Sequence, residues 1–458
     1  MYGLLSLQQR SLITILTKNK EYTIEITGYT SEGEGVGRAD GEAVFVPGSI
    51  LGEKLNVIIV KALKNYAYGK IIQIIEPSPH RVEPQCTYYK SCGGCVLQHM
   101  DYEAQLEFKR IRVQDALKRV GGSEVEVQST VPSPDIYRYR NKAQLPVTAD
   151  GIGFYAVRSH NVIDIDDCLI QNEASAQVIK AVRDYMDTHN IPPYDEEKHS
   201  GVVRGIFIRN GANTKEIMVC IITRTKDLPF EKELTESLKN IKNIKSIYHN
   251  INSEKTNVQM GKTNRLLWGS ETIRETLCGI EFQISPLSFF QVNTKQTERL
   301  YAKAAEFAKA GNPQTVFDLY CGTGTISSIV AQSVKQVVGV ECVPSAVENA
   351  KNNAKKNGIS NAEFYLGNAE DLLPELTEKY SPDTVILDPP RKGCDKTLID
   401  TLNKVKPNHI VYVSCDPSTL ARDIKLLEGY TIQQAIPFDM FPHTKHVECC
   451  VLLCQEEN

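Results

Sequence analysis

At 458 residues the chain exceeds one ordinary hydrophobic core, so two or three domains are expected. Apolar residues make up 41% and charged residues 24%, with no apolar run long enough to span a bilayer, so no membrane partner is expected. The net charge of −4 excludes a globally basic polyanion binder, so any nucleic-acid surface must be a local patch.

The first stretch, MYGLLSLQQRSLITILTKNK, lacks the basic, apolar, small-residue order of a secretory signal. A cytoplasmic location is therefore expected, where thiols stay reduced. The 13 cysteines then read as core filler, ligands or nucleophiles, not as a disulfide framework. Residues 20–75 read as short strands with glycine-rich turns, among them YTIEITGYT, EAVFVP and KLNVIIVKAL, which predicts a small closed barrel. Basic residues and tyrosines interleave there at Lys61, Lys64, Tyr66 and Tyr68, a pattern that makes an RNA patch only if the side chains share a face. Proline-rich EPSPHRVEPQ (76–85) is predicted to be a linker.

Cys86-x5-Cys92-x2-Cys95, in QCTYYKSCGGCVLQH, follows with metal-ligand spacing. A fourth ligand is wanted, and Cys168 in IDIDDCLIQ is the nearest downstream candidate. Zinc and an iron–sulfur cluster both fit four thiolates. An amphipathic helix is expected over 102–119. The break PSPDIYRYRNK (132–142) carries a second candidate patch: Tyr137, Arg138, Tyr139, Arg140 and Lys142. From about 142 to 285, hairpins such as NKAQLPVT-ADG-IGFYAV and GIFIRNGANTKEIMVCIITR alternate with helical stretches such as EASAQVIKAVRDYMDTH, which predicts a mixed α+β domain.

After residue 291 the runs TVFDLY, QVVGVE, AEFYLG, DTVILD and HIVYVS alternate with helix-period segments, the signature of an α/β parallel sheet covered on both faces. The tail TIQQAIPFDMFPHTKHVECCVLLC adds two β-runs with no helix between them, consistent with a closing antiparallel edge. Asp318-Leu-Tyr-Cys-Gly-Thr-Gly-Thr325 ends the first of these strands and opens a helix, where backbone N–H groups can approach a polar ligand. Glu341 ends the next strand about 20 residues on, where a carboxylate can take ribose hydroxyls, and GNAED (367–371) follows the third. Asp388-Pro-Pro-Arg-Lys-Gly393 closes the fourth strand at the ligand-binding edge. Cys415 stands where the fifth strand stops, with Asp416 placed to cap a helix and Pro417 to fill its first position. The helix end favours a thiolate and Asp416 opposes it, so Cys415 is a nucleophile candidate. Glu448 in HTKHVECC is the best base, with His443 and His446 as rivals.

SFFQVN, DLYCGTGT, DPPRKG, SCDPSTLARD and HVE, in that order between about 286 and 450, resemble the RNA (uracil-5-)-methyltransferase family, whose bacterial members modify 23S rRNA or tRNA. The resemblance implies a seven-stranded class I methyltransferase domain that uses S-adenosylmethionine. It implies Cys415 as nucleophile and Glu448 as the base for the C5 proton. It places Gln291, Tyr320, Glu341, Asn368 and Asp388 around S-adenosylmethionine, with Asp388 and Arg391 facing the uracil. The 23S rRNA branch holds a 4Fe–4S cluster on this cysteine pattern, here Cys86, Cys92, Cys95 and Cys168, whereas the tRNA branch typically lacks both cluster and barrel. The cysteine spacing is not that of radical enzymes, so the cluster is expected to be structural or RNA-positioning. EGEGVGRADGEAVFVPGSILGE (32–53) resembles the TRAM domain, an OB-like RNA-binding barrel.

The expected division is 16–78 for that barrel, 79–98 with 130–287 for a central iron–sulfur domain, and 99–129 with 288–458 for the catalytic domain. A monomer acting on a flipped uridine of 23S rRNA is the leading expectation. Its rivals are the same chemistry on tRNA, an inactive RNA-binding or chaperone protein, and an iron–sulfur redox enzyme.

Overall fold

The computed structural model describes residues 16–456. The expectation about a secretory signal falls mainly on residues 1–15, which lie outside the described residues. Two compact units are present: one runs to residue 84 and includes 96–108, the other takes 85–95 and everything from 109 onward.

In the first unit, β1 (Glu21–Tyr29), β2 (Gly35–Ala39), β3 (Glu42–Val46), β4 (Lys54–Ala62) and β5 (Tyr66–Glu76) close a barrel in the order β1-β2-β3-β5-β4. Period-two alternation drives it: Val44, Val46, Leu55, Val57, Ile59 and Ala67 are fully buried, while Phe45, Tyr66 and Tyr68 stand half-exposed on the outer face. Those three rings meet, with Phe45 centred 5.1 Å from Tyr66 and 5.8 Å from Tyr68. Lys61 pairs with Tyr68 across β4 and β5. A Cβ on Gly37 would lie 2.6 Å from the Glu25 carbonyl oxygen, so the β1–β2 pairing requires glycine there. The predicted linker is not loose. The Arg81 guanidinium clamps buried Glu53 (2.7 Å) and the Gly48 carbonyl (2.8 Å), tying 76–85 to the barrel.

Helix α1 (Tyr102–Arg119) covers the segment predicted to be helical. In the second unit, β6 (Lys142–Thr148), β7 (Gly151–Tyr155), β8 (Val162–Asp164), β9 (Val203–Asn210), β10 (Ile217–Thr223), β11 (Ile244–Ile251) and β12 (Thr263–Gly269) form one sheet, ordered β12-β11-β10-β9-β6-β7-β8. Helices α2 (Ala174–His189) and α3 (Glu231–Lys239) pack apolar faces on it through Val178, Val182, Leu234 and Leu238. The hairpin of β13 (Ile273–Leu277) and β14 (Ile280–Ile284) has no counterpart among the sequence expectations.

The last part alternates strictly: α4 (Thr294–Ala308), β15 (Thr315–Leu319), α5 (Thr325–Ala331), β16 (Gln336–Glu341), α6 (Pro344–Lys356), β17 (Ala362–Leu366), α7 (Ala369–Tyr380), β18 (Thr384–Leu387), α8 (Lys396–Val405), β19 (His409–Ser414) and α9 (Pro417–Leu426). β20 (Tyr430–Phe438) and β21 (Glu448–Gln455) finish a seven-stranded sheet, ordered β17-β16-β15-β18-β19-β21-β20. Strands up to β19 are parallel, and β21 inserts antiparallel between β19 and the edge strand β20. The strand order reverses between β15 and β18, so a crevice opens beyond their carboxyl ends. No helix of the described residues is long and apolar enough to cross a membrane.

Candidate active site

The crevice is built first by the turn after β15. Tyr320 (φ 79°), Gly322 (φ 54°) and Gly324 (φ 75°) all take left-handed backbone. A Cβ on Gly324 would sit 3.0 Å from Ala350 and the Phe364 ring, so a side chain there strains both backbone and packing. Glu341, at the tip of β16, accepts the Gly322 N–H (3.0 Å) and the Val343 N–H (2.8 Å). Gln291, Tyr301, Asp318, Tyr320, Gly322 and Asp388 line one cleft. Asn368 does not line it: its amide donates to Asp371 (2.8 Å) at the start of α7.

Asp318 is fully buried, with one carboxylate oxygen accepting from Ser327 (2.5 Å) and the other without a partner. Burial pushes its carboxyl up to about 6. Burial, and then Asp318 itself, pushes Asp388 up to about 7. Two acids facing one low-dielectric cleft favour a cationic occupant, which the sulfonium and ammonium of S-adenosylmethionine provide. Asp318 and Tyr301 were not among the expected ligands. Asp318 stood in the glycine turn that the sequence singled out for its backbone N–H groups, and nothing marks Tyr301 within an ordinary amphipathic helix.

Beside this cleft, Ser414 of β19 pairs with Cys449 of β21. The antiparallel register therefore carries Cys415 and Glu448 to neighbouring positions at the same edge. Asp416 caps α9 as expected, accepting from Ser418 (2.9 Å) and Thr419 (3.1 Å). The thiol itself behaves differently from the helix-end expectation. Burial, Glu448 and Asp388 push Cys415 up to about 11, with Arg391 opposing them. Glu448 is buried, and burial with Asp388 raises it to about 8, again against Arg391.

Two devices hold these groups. Asp423 of α9 accepts from the Cys394 N–H (2.7 Å) and the Tyr412 hydroxyl (2.7 Å), fixing the end of the Asp388–Gly393 turn that carries exposed Arg391. The 439–447 loop leading into Glu448 is gripped by a buried Lys109–Asp439 ion pair, by Lys109 on the Phe441 carbonyl (3.0 Å) and by Tyr139 on the Pro442 carbonyl (3.1 Å). Burial lowers both His443 and His446 to about 4, so neither is protonated near neutrality, and His443 stacks on Tyr137 at 4.6 Å.

A sequence profile described as tRNA (Uracil-5-)-methyltransferase matches residues 101–456, and a TRAM profile matches 16–72. The chain belongs to this uracil-5-methyltransferase family. It is 48% identical to a Clostridium tetani protein named an uncharacterized RNA methyltransferase, covering 95% of this chain and 96% of that one. A Halalkalibacterium halodurans protein of similar name is 46% identical, over 96% of this chain and 98% of its own. Among solved structures, the Pyrococcus abyssi tRNA (uracil-54, C5)-methyltransferase in complex with S-adenosyl-L-homocysteine superposes with a TM-score of 0.77 at 34% identity, covering 94% of this chain and 99% of that one. The protein is thus an S-adenosylmethionine-dependent RNA methyltransferase with an N-terminal TRAM barrel.

The expected thiols lie in the second compact unit. Cys86, Cys92, Cys95 and Cys168 are all half-buried, and Cys168 feels the charge of both Cys92 and Cys86. Cys95 and Cys86 together act on Tyr137. The Gly94 N–H donates to the Cys92 sulfur (3.4 Å), while the Gln171 N–H donates to the Cys168 carbonyl (2.9 Å). Among the described residues, no three such side chains close to the distance one metal ion requires. Of the second candidate patch, Arg138 is taken up by Asp167 (2.6 Å), Tyr139 is buried and Tyr137 stacks on His443, which leaves Arg140 and Lys142.

Proposed function

We propose that the protein methylates C5 of a uridine in 23S rRNA, with Cys415 as nucleophile and Glu448 as base. The observation that carries this reading is the register of β19 on β21, which brings a thiol and a buried acid to one edge beside a cleft suited to a cationic methyl donor. Cys415 gives up its thiol proton to solvent, adds as thiolate to C6 of the uracil and thereby gives C5 nucleophilic density. S-adenosylmethionine supplies an electrophilic methyl group when bound. Glu448 takes the C5 proton, and the thiolate then leaves C6. Gln291, Tyr320, Asp388 and Asp318 hold the methyl donor, Glu341 shapes the glycine turn and reaches the ribose, and Asn368 follows Gly367, whose N–H donates to the Glu341 carbonyl (3.0 Å). Arg391 and Asp388 face the uracil, and Arg391 offsets in part the burial and acid charge that hold the thiol protonated.

Cys86, Cys92, Cys95 and Cys168 would hold a 4Fe–4S cluster in this reading. The mutual influence of Cys86, Cys92 and Cys168, with the Gly94 N–H on the Cys92 sulfur, suits thiolate ligation.

A second reading, the same chemistry on tRNA, is favoured by one observation. The Pyrococcus abyssi tRNA enzyme covers 94% of this chain, so the whole architecture is compatible with a tRNA substrate. Mapping 5-methyluridine in separated rRNA and tRNA from cells with and without the gene decides between them. Loss of a 23S rRNA mark supports the first reading, loss of a tRNA mark the second, and loss of neither refutes both.

A further inference from the structure

Three cations gather beside the cleft without an anion among them. Lys142 on β6 is registered opposite Arg209 on antiparallel β9, so both side chains leave the same face of the sheet. Arg140 enters the same group: Lys142 is held down to about 8 by burial, then by Arg209, then by Arg140. Arg209 is 3% exposed, and its guanidinium meets the Ser285 carbonyl (3.3 Å), the Ser288 carbonyl (2.6 Å) and the face of Phe207 (5.2 Å), but no carboxylate among the described residues. The Nε of Arg140 is buried without an acceptor. Among the described residues, no carboxylate acts on Lys142 or Arg209, and none pairs with Arg140. Like charges packed this closely repel and are costly to desolvate, and an anion seated between them removes both penalties.

The place of this cluster says which anion. Asn141, between Arg140 and Lys142, donates its amide to the Gln291 carbonyl (2.9 Å) and its N–H to the Val292 carbonyl (2.8 Å), and Gln291 lines the cleft. The turn braced by Arg209 runs straight into Phe289, which is 68% exposed and also borders the cleft. Cations flanking an exposed aromatic ring are the recognition chemistry of a single-stranded nucleic acid, the ring stacking on a base and the cations taking the backbone.

We propose that Arg140 and Lys142, backed by Arg209, form a phosphodiester-binding site that seats the RNA backbone next to the nucleotide entering the cleft. This rests on the reading of the protein as an RNA uridine methyltransferase, but it is testable without turnover. The probe is a fluorescent stem-loop RNA with loop uridines, titrated with the full-length protein between 50 and 200 mM salt (roughly the range over which phosphate contacts dominate). Lys142→Gln should weaken binding about tenfold and lower the log–log salt slope by about one, and Lys142→Arg should restore both. Arg140→Gln should behave like Lys142→Gln and supplies the same reading if the first variant does not fold. S-adenosylhomocysteine affinity should not move in either variant. An unchanged salt slope in both Gln variants overturns the proposal. So does a loss confined to S-adenosylhomocysteine affinity, which would assign the cluster to the methyl donor's carboxylate. Absence of uridine methylation by a wild-type protein that still shows the slope would instead count against the parent reading alone.

Discussion

Asp318, Asp388 and Glu448 are three carboxyls that burial holds up to about 6, 7 and 8. Near neutrality they carry more protons than exposed acids would, and a cation placed among them lowers their values and expels protons. Calorimetry at pH 7 in buffers of different ionisation enthalpy should therefore show proton release when S-adenosylmethionine binds. S-adenosylhomocysteine, without the sulfonium charge, should release fewer. Equal release by both would mean that the acids do not sense the sulfonium. Glu448 has a sharper test. If it takes the C5 proton, Glu448→Gln should let a protein–RNA adduct build up on ordinary uridine RNA while product formation falls at least a hundredfold, in line with the 10²–10⁴ range of general base catalysis. Normal turnover by that variant would move the base elsewhere. At this scale the sequence was readable wherever neighbouring residues agreed, as around Cys415. The direction of its thiol shift was not readable, because it depends on acids delivered by two other strand tips.

Elements place these side chains, and the element with least local signal is the 439–447 loop before β21. Its shape depends on Lys109, a lysine that the sequence presents as one more cation on an amphipathic helix. Lys109→Ala would leave Asp439 buried without its partner, which costs about 3–5 kcal/mol in such pairs. Urea unfolding should show a loss of that size. Below about 1 kcal/mol, the ion pair would not be what fixes the loop. The parallel strands and their helices were legible because each apolar run is bounded by a turn or a cap, as Asp416 and Pro417 bound α9. The β13–β14 hairpin was not, since its two short runs, IRETL and IEFQI, alternate too briefly to stand out. The 76–85 segment misled for a different reason: its prolines suggest a linker, while Arg81 binds it to Glu53 across 28 residues.

Across the whole molecule, the TRAM barrel, the cysteine-bearing centre and the methyltransferase sheet are joined in a chain whose relatives match it nearly end to end. Anaerobically purified protein should contain about four irons and four inorganic sulfides per chain, and Cys92→Ala should lose them. Stoichiometric zinc in place of iron would replace the cluster by a single-ion site. The cysteine spacing raised the expectation of a metal site, and the choice of metal came from family resemblance alone.

The covalent role of Cys415 is the centre of the account. It is tested most directly by incubating the wild-type protein with S-adenosylmethionine and 5-fluorouridine-substituted RNA, in which the C5 fluorine cannot leave as a proton, and then mapping the cross-linked peptide by mass spectrometry. The account predicts a methylated fluoropyrimidine bonded to the sulfur of Cys415. A bond to any other residue, or steady uridine methylation by Cys415→Ala, would contradict it.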